Sequence, residues 1–171
     1  MSKEYNLRIL AEIIIFAALS SMLYFLRVYT LPMGGSVTLG SMVPVIWLAL
    51  RRGPRTGVEA GLVLGLIVMT IEPFLFHPVQ VMLDYIIPFS VLGLTGFFKK
   101  APVIGAGVSI AMRFISHFLS GVIFADIFIP AGENPVIYSA IYNGSYLVPE
   151  LIMSAIIVYI LAKKKILEVY L

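Results

Sequence analysis

The feature that most constrains this chain is its punctuation: long uncharged apolar runs broken by short clusters of lysine and arginine. Six apolar stretches lie near 7–30, 36–50, 57–72, 78–98, 102–128 and 136–162. A helix needs about 20 residues to cross the roughly 30 Å hydrocarbon layer. The second and third stretches are short, and are read as little tilted, beside a locally thin bilayer, or partly re-entrant. With 60% apolar and 12% charged side chains and a mean hydropathy of +1.02, the chain is too apolar for an ordinary soluble domain. Its net charge of +3 comes from few residues set between apolar runs, which excludes a disordered or nucleic-acid-binding chain. Without cysteine, disulfides, thiolate metal sites and cysteine nucleophiles are excluded.

Arg8, Glu12 and Arg27 accompany the first stretch and no small-residue cleavage site follows it, so it reads as a retained helix rather than a signal peptide. Basic residues near helix ends mark the cytoplasmic side. Lys3 and Arg8 precede the first helix, and Arg51, Arg52 and Arg55 join the second to the third. Lys99 and Lys100 join the fourth to the fifth, and Lys163, Lys164 and Lys165 follow the sixth. An even number of crossings puts all ten on one side. The fold class expected is therefore an all-α integral membrane protein. It is a single domain over 1–171, a six-helix bundle with both termini cytoplasmic and the loops near 31–36, 72–78 and 129–135 outside.

Gly57, Gly61 and Gly65 repeat every fourth residue and clear one helix face for close approach. Contact within the chain is the favoured reading, and docking to another membrane subunit the alternative. Ala17 and Ser21 form a weaker version on helix 1. Pro44, Pro88 and Pro149 fall inside helices 2, 4 and 6, where kinks would suit a cavity.

Polar groups in membrane segments usually face the bundle interior or a wet cavity. Here they share one level. Gln80 and Asp84 lie one turn apart, as do Arg113, His117 and Gly121. Ser139, Asn143, Tyr146 and Glu150 follow at spacings of four, three and four, with Tyr138 and Tyr142 on the next stripe. Counted from the outer loops, Asp84, Tyr85, His117, Ser139, Tyr142, Asn143 and Tyr146 fall in the outer half, and the inner half is almost purely apolar. That predicts a cup open to the outside and sealed toward the cytoplasm, which suits a solute-binding protein and not a continuous pore. Asp84 either pairs with Arg113 or contacts a solute, the latter favoured by the aromatic and amide groups at its level. Arg113 and Glu150 are read as an ion pair between helices 5 and 6. Tyr138 and Tyr142 fit an interfacial belt as well as a pocket, and Glu72 and His77 are read as solvated loop residues.

The chain has no phosphate-binding G-x-x-x-x-G-K-[ST] loop, no H-E-x-x-H pair and no G-x-S-x-G elbow. Its two histidines, His77 and His117, are too few for a multi-histidine metal site. No cofactor and no enzymatic activity are expected, and energy for transport must come from a partner or a gradient.

Three runs resemble a known family: His77-Pro78-Val79-Gln80-Val81-Met82-Leu83-Asp84-Tyr85, Arg113-Phe114-Ile115-Ser116-His117-Phe118-Leu119-Ser120-Gly121, and Tyr138-Ser139-Ala140-Ile141-Tyr142-Asn143-Gly144-Ser145-Tyr146. They are similar to the thiamine-specific substrate-binding subunit, or S-component, of energy-coupling factor (ECF) transporters. Leu31 to Gly40 resembles that family's first outer loop. The resemblance implies a prokaryotic cell-membrane subunit that captures thiamine or a related heterocycle outside. It then docks with a transmembrane coupling protein and two cytoplasmic ATPases, and topples in the bilayer to deliver its ligand.

The resemblance also implies site residues: Asp84 and Tyr85 as the acid and tyrosine of helix 4, and His117 as the stacking ring. Gly121 is the close-approach glycine, and Tyr142, Asn143 and Tyr146 are the helix 6 hydrogen-bonding groups, beside Ser139. The small-residue face of helix 1, Ala17 with Ser21, falls where the family's coupling contact belongs. Where the family often carries a ligand-stacking tryptophan this chain has Ala125, with Phe124 or Phe128 as substitutes, and glycines at 34 and 35 replace an aromatic in the outer loop.

Overall fold

The structure is a computed structural model that describes residues 3–164. Lys165, the last of the terminal basic cluster, lies outside the described residues. Helix α1, Lys3–Phe25, has no glycine or proline to interrupt it. One face, carrying Ile13, Ala17, Ser21 and Tyr24, is buried, while Leu10, Ile14 and Met22 stay exposed as a lipid-facing surface requires. The chain then makes a short antiparallel hairpin of β1, Arg27–Thr30, and β2, Ser36–Thr38. Its turn uses positive φ at Met33 and Gly34.

The second apolar stretch is where the expected bundle gains detail. Its first part is strand β2, and only ten residues, α2 Val43–Arg52, are helical. At about 1.5 Å per residue that is roughly 15 Å, half a bilayer. Among the described residues five other helices are long and apolar enough to cross a membrane. Pro44 does not kink α2, contrary to expectation: it occupies the first turn, where its missing N–H is no loss. Gly53, with φ of 103°, ends α2, and Pro54 opens α3, Pro54–Ile71. The end of α2 is tied to α1 by Arg52, whose Nε and Nη2 each donate to Glu12 at 2.6 Å.

The glycine face of α3 packs inside the chain, as favoured. A Cβ on Gly57 would lie 2.8 Å from Gly93 Cα, and one on Gly65 would lie 2.3 Å from the Tyr85 carbonyl oxygen. These contacts bring α3 against α4, Pro78–Phe97. That span is not uniform: it winds wide, as a π turn, over Met82–Ile86 and tightens to 3-10 geometry over Val91–Phe97. Pro88 supplies a reason, since it cannot donate to the Asp84 carbonyl and its ring crowds it. The widened turn carries Asp84 and Tyr85.

Helix α5, Pro102–Ile123, packs closely on α6, Pro135–Lys163. Asn134 caps α6 by accepting from Val136 N at 3.0 Å and Ile137 N at 3.1 Å. Because the helices alternate in direction, Arg51, Arg52, Arg55, Lys99, Lys100 and Lys163 cluster at the end opposite the hairpin. The core toward that end is mostly apolar, with Ile46, Leu64, Leu92 and Ile110 fully buried beside the hydroxyls of Thr95, Ser109 and Ser154.

Candidate substrate-binding site

A cavity opens between the hairpin, the 72–74 segment and the outer parts of α3 to α6. Phe89, Arg113, Leu147 and Glu150 line its inner end, and the core just described lies beneath. All eight residues singled out from the sequence line it: Asp84, Tyr85, His117 and Gly121 on one side, Ser139, Tyr142, Asn143 and Tyr146 on the other.

Asp84 is the hub. Its Oδ2 accepts from Gln80 Nε2 at 2.7 Å and from Ser120 Oγ at 2.9 Å, and its Oδ1 lies 3.3 Å from His117 Nδ1. Gln80 is fully buried and its Oε1 accepts from Phe76 N at 3.2 Å, so the amide is pinned at both ends. The Asp84 contact fixes one nitrogen of His117, whose Nε2 has no protein partner. The imidazole meets Tyr146 edge-on, centroids 6.3 Å apart. Tyr146 donates to Asn143 Oδ1 at 2.8 Å, and Asn143 Nδ2 donates to the Ser139 carbonyl at 2.9 Å. Ser139 Oγ in turn donates to the Phe118 carbonyl at 3.0 Å, locking α6 to α5. Gly121 makes that contact possible, since a Cβ there would fall 2.4 Å from Ser139 Oγ.

Two tyrosines hold the mouth. Tyr85 Oη donates to the Glu72 carbonyl at 2.5 Å and accepts from Phe74 N at 2.9 Å. Tyr142 Oη accepts from Gly35 N at 3.0 Å and donates to the Pro32 carbonyl, fastening the hairpin turn over the cavity. Tyr138 stacks on Tyr142 with ring planes 7° apart, so both face the cavity mouth. Removing the Tyr142 hydroxyl frees the Gly35 amide. In Tyr142→Phe, hydrogen exchange of the 31–36 segment should run about tenfold faster, the equivalent of one ordinary hydrogen bond. Mass spectrometry showing an unchanged rate there would dismiss this fastening.

Three expectations are corrected, whereas His77 stays an exposed loop residue as expected. Arg113 and Glu150 form no ion pair: Arg113 lies 4.2 Å over the Phe89 ring, while Glu150 Oε1 accepts from the backbone N and hydroxyl of Thr38. The hairpin reaches Glu150 first, which spacing along α5 and α6 cannot reveal. Glu72 is no solvated loop residue. It lines the cavity, accepts from Tyr24 Oη at 2.6 Å and pairs with Arg27. His77 caps α4, its Nδ1 accepting from Val79 N at 3.1 Å, and its ring packs on Phe124. Ala17 and Ser21 are buried within the bundle at 0% and 7% exposure, so that face of α1 is not free for a partner. Of the two substitutes for the missing tryptophan, Phe128 lines the cavity and Phe124 is turned to His77. Sequence reasoning passed over Phe74 and Tyr24, which also line it. Phe74 carried a signal, an aromatic in an outer loop, whereas Tyr24 reads as one more apolar face residue.

A helical membrane bundle with a polar cup at one end and a sealed apolar core at the other is a solute-binding membrane protein. Residues 10–169 match the family of the thiamine transporter protein (Thia_YuaJ). The chain is 36% identical over 149 residues to the thiamine transporter ThiT of Bacillus subtilis, covering 77% of each. It is 27% identical to ThiT of Lacticaseibacillus paracasei, over 94% of this chain and 90% of that protein. A solved structure of ThiT from Listeria monocytogenes superposes with a TM-score of 0.82 at 27% identity, covering 94% of this chain and 96% of that one. The chain belongs to the thiamine transporter family, a family of membrane transport proteins and not of enzymes.

Proposed function

We propose that this protein captures thiamine from outside the cell in the Asp84–His117 cup and releases it inside after docking with an ATP-driven coupling module. The observation that carries the reading is a carboxylate and an imidazole set 3.3 Å apart among tyrosines in one cavity of a predominantly apolar bundle. Thiamine is a flat cation with a hydrogen-bonding pyrimidine. Aromatic faces attract its thiazolium by roughly 0.5–2 kcal/mol each, and Asp84 supplies the opposite charge. His117 Nε2 and the open lone pairs of Asp84 are left to meet the pyrimidine.

The basic end of the bundle faces the cytoplasm under the rule that governs membrane orientation, which places the cup outside and the protein in the cell membrane. No continuous pore is required, because the apolar core is carried with the cup as the subunit topples. The partners are a transmembrane coupling protein and two ATPases. Docking on α1 uses its exposed face, where Leu10, Ile14, Ala18 and Met22 recur every fourth residue.

The purified protein in detergent should bind thiamine one to one in a calorimeter with no ATP present. Absence of binding overturns the ligand, and thiamine uptake by liposomes holding this chain alone overturns the need for a coupling module.

A further inference from the structure

Charge at the basic end of the bundle is matched on one side and unmatched on the other. Near the α2–α3 turn the chain supplies its own counter-ions: Glu12 takes Arg52 at 2.6 Å and Arg8 at 3.4 Å, and Glu59 takes Arg55 at 3.1 Å. At the α4–α5 turn and the end of α6, no carboxylate of the described residues pairs with Lys99, Lys100 or Lys163. A groove lies at this second place, between residues 101–104 at the start of α5 and Tyr159, Ala162 and Lys163 on α6. Ala101 and Ala162 hollow it, since a one-carbon side chain leaves the gap between the helices unfilled. Its wall is apolar throughout, so Lys163 contributes its methylene stem and keeps its ammonium at the rim, 5.9 Å from the centre of the Tyr159 ring. Lys99 and Lys100, both exposed, directly precede Ala101. Away from the rim the groove runs into exposed Ile104, Val108, Met112, Ile115 and Leu119 on α5, a surface fit for acyl chains.

We propose that this groove binds one anionic phospholipid from the leaflet at the basic end of the bundle, its phosphate held by Lys163 with Lys99 and Lys100 and one acyl chain lying between residues 101–104 and Tyr159. Ammonium groups without a carboxylate call for an anion, and an apolar cleft that opens on hydrocarbon calls for a chain. An amphiphile with a negative head meets both, and basic pockets between membrane helices hold such heads. A free phosphate satisfies the lysines but leaves the cleft empty. A zwitterionic lipid fills the cleft but brings a cation of its own to the lysines. The site is separate from the cup and does not depend on which solute the cup takes.

The test is native mass spectrometry of the full-length protein in a neutral detergent. It is titrated with dioleoylphosphatidylglycerol, with dioleoylphosphatidylcholine, or with glycerophosphoglycerol, which is the anionic head without chains. Wild type should retain one phosphatidylglycerol about tenfold more tightly than phosphatidylcholine, and the bare head should not displace it. Lys100→Gln with Lys163→Gln should weaken that lipid about tenfold, whereas Arg8→Gln with Arg55→Gln, an equal loss of charge at the same end, should stay within about twofold of wild type. Ala162→Phe fills the groove with every charge in place and should abolish retention. Equal loss in both double variants means diffuse attraction and overturns the site. Equal retention of the two lipids overturns it too, as does full retention in Ala162→Phe. Displacement by the bare head overturns the lipid in favour of a phosphate. A wild-type dimer that Ala162→Phe dissolves puts a second copy in the groove and likewise refutes the lipid. If Ala162→Phe does not fold, Ala162→Leu carries that arm: lost retention supports the proposal and full retention refutes it. No thiamine enters any arm, so failure here is distinct from failure of the cup.

Discussion

Replacing Asp84 by alanine should weaken thiamine binding about a hundredfold, roughly 2.8 kcal/mol. Three groups converge on this carboxylate, Gln80, Ser120 and His117, and all of them lose their acceptor at once. The ligand loses a carboxylate counter-charge in a largely buried site, where a hydrogen bond to a charged group is worth about 1.5–3 kcal/mol. Asp84→Asn keeps the shape and one acceptor but not the charge, so it should fall between wild type and alanine. The loss should change little with ionic strength, because the cavity walls exclude the screening ions. Calorimetry at two salt concentrations checks both points, and undiminished affinity in Asp84→Ala removes this residue from the site.

The second large effect concerns stability. A Cβ on Gly61 would lie 2.2 Å from the Phe89 carbonyl oxygen and 3.0 Å from Ser90 Cα, both backbone atoms that no rotamer change can move. Gly61→Ala must therefore push α3 from α4, at a cost of up to about 3 kcal/mol for overpacking, or roughly 10 °C in melting temperature for a chain of this size. Gly61→Val should prevent assembly of the bundle. Gly107→Ala is the control, since nothing lies within 4 Å of a Cβ there. Fluorescence-detected melting of the three proteins in one detergent decides it, and a Gly61→Ala curve that overlays the control's would show that the two helices have room to spare.

What was legible in the sequence was whatever one helix carries on its own. The four-residue steps of Gln80 to Asp84, and of Ser139 to Asn143, put these groups on shared faces, and the structure brings all eight chosen residues around one cavity. Their contact with a ligand is a separate matter that binding measurements decide. The small-residue repeat of α3 was legible for the same reason: its spacing is the helix's own. Glu72 was missed because its partners, Tyr24 and Arg27, lie 48 and 45 residues away and meet it only through the folded hairpin. Arg113 and Glu150 were paired wrongly on charge and depth alone, because Thr38 arrives from a strand that hydropathy reads as part of a helix. Ala17 and Ser21 show the same limit. Small residues mark a close contact without naming the partner, and here it is the chain itself.

The hairpin of Arg27–Thr30 and Ser36–Thr38 has one further consequence. The β2 edge is covered, with Thr38 N bonded to Glu150, but β1 is exposed, and hydrocarbon does not tolerate the unpaired backbone N–H and C=O groups of an open strand edge. Val28 and Tyr29 are exposed there, at 64% and 59%. The ribbon must therefore ride among lipid headgroups, and in doing so it sets how deep the whole molecule sits. The rim of the cup is pinned at the wet surface, so a solute enters from bulk water and not sideways out of the acyl chains.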